Sequence, residues 1–118
     1  MEGNKAALRD GSVFEYCKLN DMVIQAWSVL QFGYFKGNFV GKEQFHNLNE
    51  VLNRLALKYG VSPSAIAIAW VLRYPAKMQA VVGTTNPKHL IEASQASNVN
   101  LTRKEWYEIY LAAGNDLP

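Results

Sequence analysis

The sequence predicts a helix-rich α/β fold in which short parallel strands alternate with helices. Residues 22–27 and 78–82 are short, nearly continuous apolar runs, the pattern of strands covered on both faces. Each run leads through a glycine-containing loop into segments with a 3.6-residue apolar period. Strands alternating with helices in this way build βα units and a parallel sheet.

The elements follow in order. Residues 13–20 read as a short helix, with Val13, Phe14 and Cys17 on one side and Asn20-Asp21 as its break. The first strand is residues 22–27. From Ser28 to Gly41 no period survives: Gly33, Gly37 and Gly41 mark a loop, and Phe32, Tyr34, Phe35 and Phe39 make it aromatic. Loops of this kind often carry function; a loop lacking its normal partner reads the same way. Leu48, Val51, Leu52, Leu55, Ala56 and Tyr59 then form one helical stripe, stopped by Gly60. Ser62-Pro63 starts the next helix, with serine as cap and proline where no amide hydrogen is needed. Its body, residues 65–72, is apolar almost all round and should be buried, and Tyr74-Pro75 ends it. The second strand, 78–82, runs into Gly83-Thr84-Thr85-Asn86-Pro87 and a helix capped by Asn86 that extends to about Ser97. Thr102-Arg103-Lys104-Glu105 is a capping box. It opens a last helix with Trp106, Ile109, Tyr110 and Ala113 on one face, closed by Gly114.

The bulk properties exclude several classes. With 118 residues, 49% of them hydrophobic, the chain is one domain with material for a core. A net charge of +2, from 12 basic and 10 acidic side chains, argues for neither a nucleic-acid nor a membrane surface. Residues 1–10 hold no apolar run, so no signal peptide is expected. Nothing approaches the roughly 20 apolar residues of a membrane span. A single cysteine, Cys17, rules out an internal disulfide and fits a reducing, cytoplasmic setting. It reads as a packing residue, because the two histidines, His46 and His89, are distant in sequence and a catalytic thiol needs a base beside it.

The candidate site is the stretch from Val81 to His89. A strand ends, Gly83 lets the backbone turn, and a helix begins, which presents free amide hydrogens and the positive end of a helix dipole. Thr84 and Thr85 add hydroxyl donors, and Lys88 and His89 add charge. Phosphate is the natural ligand. An ordinary capped βα loop has the same outline.

The same stretch, through Glu92, resembles the segment after the last barrel strand of bacterial aldo-keto reductases: an apolar pair, Gly-Thr-Thr-Asn-Pro, then a basic helical turn. The run from Leu55 to Arg73, the Ala26-Trp27-Ser28 triplet and the tail from Leu101 to Trp106 also resemble that family, in order and with family-like spacing. The resemblance implies the last two βα units plus the closing helix of a (β/α)8 barrel, hence a single partial domain over 1–118. It also implies NADP(H) as cofactor. Ser28 and Leu30 match the loop near the pyrophosphate, and Gly83 and Thr84 the stretch holding the 2′-phosphate. Thr85 and Lys88 stand beside them, His89 falls where an arginine usually stacks on the adenine, and Glu92 falls where an acid meets the adenine amine.

Departures from the family pattern point to weakened or lost cofactor binding. Ser28-Val29-Leu30-Gln31-Phe32-Gly33 replaces Ser-Pro-Leu followed by glycines, which hinders close approach to phosphate. His89 lacks the fork and fixed charge of arginine; a partly exposed helix residue is its competing reading. The aspartate, tyrosine, lysine and histidine of family catalysis precede the part this chain resembles, so no catalytic residue is assigned, and no metal site is read. The chain alone is then expected to be inactive.

Two other classes of function remain. Ala56, Gly60 and Ile66 fit helix-turn-helix spacing, but residues 65–72 offer nothing polar to base edges. Nucleic acid is therefore not an expected partner. Two parallel strands without neighbours leave open edges and apolar surface. The expected partners are a second copy or a complementing chain that covers those edges. A structural or interaction role without cofactor is the corresponding alternative.

Overall fold

The computed structural model describes residues 11–33 and 36–117. Tyr34, Phe35 and the N-terminal stretch read for a signal peptide lie outside the described residues. Helix α1 (Ser12–Leu19) leads into strand β1 (Ile24–Trp27). After a loop and a 3-10 turn (Glu43–Phe45) come helices α2 (His46–Tyr59) and α3 (Pro63–Leu72), then strand β2 (Met78–Val81). Helix α4 (Pro87–Ser94), a 3-10 turn (Gln95–Asn98) and helix α5 (Arg103–Ala112) complete the order.

The helices start and stop where the chemistry of their ends requires. The Ser62 side chain accepts from Ala65 N–H at 3.1 Å with Pro63 in the first turn. At the end of α2, Gly60 takes φ 66°, a left-handed conformation that glycine enters without steric cost. Thr102 and Glu105 form both halves of the capping box of α5. Helix α4 is shorter than its periodicity suggested. It stops at Ser94, and the chain tightens into the 3-10 turn through Asn98, a common way to satisfy the last carbonyls of a helix. Ala113 is the C-terminal cap of α5 and exposed, not part of its buried face.

The core lies between α2, α3 and the closing segment. Leu52, Leu55 and Ile66 are fully enclosed, joined by Leu48, Ile68, Leu101 and Ile109. Ala65 to Ala69 are all buried, so α3 is the centre of the fold. A helix-turn-helix would need this helix at the surface. Trp70 and Trp106 stack at 4.8 Å, and each indole N–H donates to the other residue's carbonyl at 3.0 Å. That arrangement buries two large rings without stranding a polar atom.

The two strands pair in parallel, with Ile24 opposite Met78 and Trp27 opposite Val81. Their burial alternates. Ala80 packs on the core, while Trp27 and Val81 on the other face are 70% and 46% exposed. On that open face the Gln25 amide donates to Gln79 Oε1 at 3.2 Å. The expectation of strands covered on both faces is therefore corrected: among the described residues, helices cover one face only. The strands are also shorter than their apolar runs, because Met22, Val23 and Val82 fall outside the ladder and stay exposed. No single helix among the described residues is long and apolar enough to cross a membrane.

Candidate functional site

Parallel pairing puts the carboxyl ends of β1 and β2 side by side, the place where open α/β sheets bind ligands. A cleft of about 460 Å³ opens there. Its walls are the chain leaving β1, the chain leaving β2, one side of α4, and Ser64 and Ile68 of α3. Ser28 leaves β1 with φ 55°, a conformation uncommon for a residue with a side chain, and its carbonyl accepts from Gln31 N–H at 2.9 Å. This tight turn sets Leu30 and Gln31 against the cleft.

The second wall is built by local hydrogen bonds. Thr84 Oγ1 accepts from Asn86 N–H at 3.1 Å, and Asn86 Oδ1 accepts from Lys88 N–H at 3.0 Å. Asn86 thus caps α4, and the Thr84 hydroxyl keeps its own hydrogen to donate. Gly83 does not take a positive φ, and a Cβ added there would meet nothing within 4 Å. The turn at Gly83 therefore does not use glycine's left-handed freedom; the absence of a side chain leaves room at the cleft.

Of the eight residues picked from the sequence, Ser28, Leu30, Gly83, Thr84, His89 and Glu92 line this one cleft. Thr85 and Lys88 are exposed and lie outside its lining. Helical geometry explains the split: His89, Glu92 and Ala93 sit at i, i+3 and i+4 on one side of α4, and Lys88 points about 100° away from His89.

Sequence reasoning missed several parts of the lining, among them Trp27, Gly37, Asn38, and Ser64 and Ile68 of α3. Trp27 ends β1 and offers a broad exposed ring; its place at the carboxyl end of a parallel strand was the available signal. Gly37 and Asn38 reach the cleft because the chain doubles back through a Gln31–Asn38 antiparallel bridge, which no local pattern announces. Among the described residues, no three His, Cys, Asp or Glu side chains are grouped to hold a metal ion.

The lining brings together hydroxyl groups, one histidine, one carboxylate and an aromatic face. A model of the aldo/keto reductase family matches residues 7–112. The chain belongs to the aldo/keto reductase family. It is similar to a 6-dehydroglucose reductase of Agrobacterium fabrum, 38% identical over 94 residues that make up 78% of this chain and 30% of that protein. An Escherichia coli oxidoreductase, YdhF, is 30% identical over 95 residues, 79% of this chain and 30% of its own length. An aryl-alcohol dehydrogenase of Pestalotiopsis microspora is 26% identical over 111 residues, covering 82% of this chain and 28% of that protein. The crystal structure of a thermostable aldo-keto reductase bound to the inhibitor epalrestat superposes with TM-score 0.64 at 24% identity, over 90% of this chain and 34% of that one. The fold is therefore a helix-rich α/β piece similar to part of an aldo-keto reductase, and the chain spans about a third of the length of its relatives.

Proposed function

We propose that residues 1–118 form the last two βα units and closing helix of an aldo/keto reductase barrel, a single partial domain that supplies the NADP(H)-binding end of the site. The observation that carries this reading is the convergence of Ser28 and Leu30 from the chain after β1 with Gly83, Thr84, His89 and Glu92 from the loop and helix after β2 on one cleft. Ser28 and Leu30 face the pyrophosphate. Gly83 and the Thr84 hydroxyl face the 2′-phosphate, with Lys88 and Thr85 flanking from the exposed side of the loop. His89 and Glu92 face the adenine. Trp27 offers a flat surface for a ring at the other end of the cleft. The cofactor, when bound, supplies hydride; this chain's residues bind and orient it.

A reductase and a dehydrogenase among the relatives support interconversion of a carbonyl and an alcohol as the reaction of a complete barrel of this kind. The chain by itself binds cofactor weakly and does not turn over, because no residue in it matches the aspartate, tyrosine, lysine and histidine of the family reaction. Proton donation and hydride delivery need such positioned groups. A cytoplasmic setting goes with this reading. The open sheet face favours a second role for the same chain, association with another copy or with a complementing chain.

A titration of NADPH fluorescence tests the site. The wild-type chain is expected to saturate. Thr84→Glu puts a negative charge where phosphate is to bind and is expected to weaken binding at least about tenfold. No saturation by the wild-type chain up to millimolar cofactor overturns the proposal and leaves association as the function.

A further inference from the structure

The side chain of Asn49 is buried at 7% exposure in the first turns of α2, and it touches no part of the cleft. Its hydrogen bonds all run to the backbone of the segment before the helix. Oδ1 accepts from Gly41 N–H at 2.8 Å. Nδ2 donates toward the carbonyls of Phe39 at 3.0 Å, Lys42 at 3.1 Å and Phe45 at 3.1 Å. Two hydrogens serve three acceptors, so one bond is shared. The orientation of the amide follows from its partners, since the reverse would aim NH₂ at an N–H and an oxygen at three carbonyls. Gly41 meets this side chain with φ 78°, which a residue bearing a Cβ adopts only with strain.

From this clamp a short path leads to the cleft. Phe39, whose carbonyl Asn49 holds, donates its own N–H to Leu30 O at 3.0 Å. The bridge between Gln31 and Asn38 lies immediately beyond, and Asn38 Oδ1 accepts from Val40 N–H at 2.8 Å. Phe45 packs edge-on against Phe32 and Phe39, with centroids 5.1 and 6.2 Å away. Leu30, Gln31 and Asn38 line the cleft. No regular ladder fixes this wall, because the bridge is isolated. A buried amide binding four backbone groups ties the loop to the start of α2 instead.

Resting on the NADP(H) reading of the cleft, we propose that Asn49 is a positioning residue: it locks residues 38–45 onto α2 and so holds the Leu30–Gln31 wall where it meets the pyrophosphate of the cofactor. Its action is confined to the first loop. Gly83, Thr84, His89 and Glu92 belong to the second loop and α4, which Asn49 does not touch. This separates two ligands. NADPH spans both walls, whereas adenosine 2′-monophosphate, which has no pyrophosphate group, needs only the second.

The test uses the full 118-residue chain with Asn49→Ala and Asn49→Asp. The aspartate keeps the shape and the acceptor for Gly41 N–H but loses both donors and sets a charge against three carbonyls. Amide hydrogen exchange and binding of both ligands are measured for each. Exchange at Phe39 and Gly41 is expected to quicken while α3 and α5 stay protected. NADPH is expected to bind about tenfold more weakly, the loss of one hydrogen bond to a charged group, and adenosine 2′-monophosphate unchanged. Equal losses for both ligands would show a merely structural asparagine and overturn the proposal, as would unchanged exchange in both variants. If the wild-type chain binds neither ligand, the cofactor reading has failed. Exchange then decides the clamp by itself: quickening confined to 30–41 upholds it, and unchanged or global exchange overturns it.

Discussion

Glu105 carries the largest shift from its ordinary pKa among the described residues. It is 6% exposed, so burial pushes its carboxyl up from the ordinary value of 4.5. Hydrogen bonds from Lys58, from Thr102 N–H, from Tyr59 and from the Thr102 hydroxyl outweigh that and hold it at about 2. The same contact raises Lys58, whereas Tyr59 rises first through burial and then through its bond to Glu105. One carboxylate therefore caps α5 and ties it to α2. A folded-state value below the unfolded one means that the stability it contributes is fully present above about 4.5 and is lost as pH falls toward about 2. Glu105→Gln keeps the shape and one capping acceptor but removes the charge. It should lower stability at neutral pH by about 1–3 kcal/mol, with the deficit shrinking across that acidic window. Urea unfolding of both proteins at a series of pH values checks this, and a deficit that stays constant down to about pH 2 would contradict it. At this scale the sequence was informative where partners are close: the capping box was legible from Thr102 and Glu105 alone. Lys58 and Tyr59, which complete the network, come from a helix more than forty residues away, and no spacing rule reaches them.

At the scale of the elements, the corner between α2 and α3 shows why some boundaries could be read and others could not. Gly60 ends one helix and Ser62-Pro63 begins the next, each through bonds within five residues, and the two helices cross at 93°. The buried α3 then follows from its composition. Ser62→Ala should cost about 1 kcal/mol by leaving the Ala65 amide without its acceptor. Gly60→Ala should cost about as much again through the left-handed conformation. Thermal melts of the two single variants and the double variant check both values. Because each residue acts on a different helix, near-additivity is expected, and a double variant no worse than the worse single would contradict the account. The strands were harder. An apolar run reports that a strand can be covered, while the covering itself is supplied by other elements, so Trp27 and Val81 were read as enclosed and stand exposed. The candidate site divides the same way. The β2 to α4 loop and the helical face of His89 and Glu92 are local and were legible. Asn38 and Asn49 enter only when the first loop folds back on α2.

For the whole molecule, the decisive feature is the asymmetry of its sheet. One face rests on α3 and the core; the other presents Gln25, Trp27, Gln79 and Val81. Both strands also have an outer edge with no strand beside it among the described residues. Parallel sheets are stable with both faces covered, and uncovered edges with apolar surface template pairing with other chains. Relatives of about three times the length have chain enough to cover such a face. The 118-residue chain in isolation should therefore self-associate, and sedimentation at micromolar concentration should give dimers or larger species. A compact monomer there would remove the argument for a partner. Gln79→Lys isolates the cause. It sets a charge in the middle of the open face, outside the cleft lining, so the cofactor site is left as it was. If association runs through this face, burying that lysine without a counter-charge is unfavourable, and the association constant should fall at least about tenfold. Association that persists undiminished in Gln79→Lys would place the interface on another exposed apolar group, such as Leu90 and Ile91 of α4.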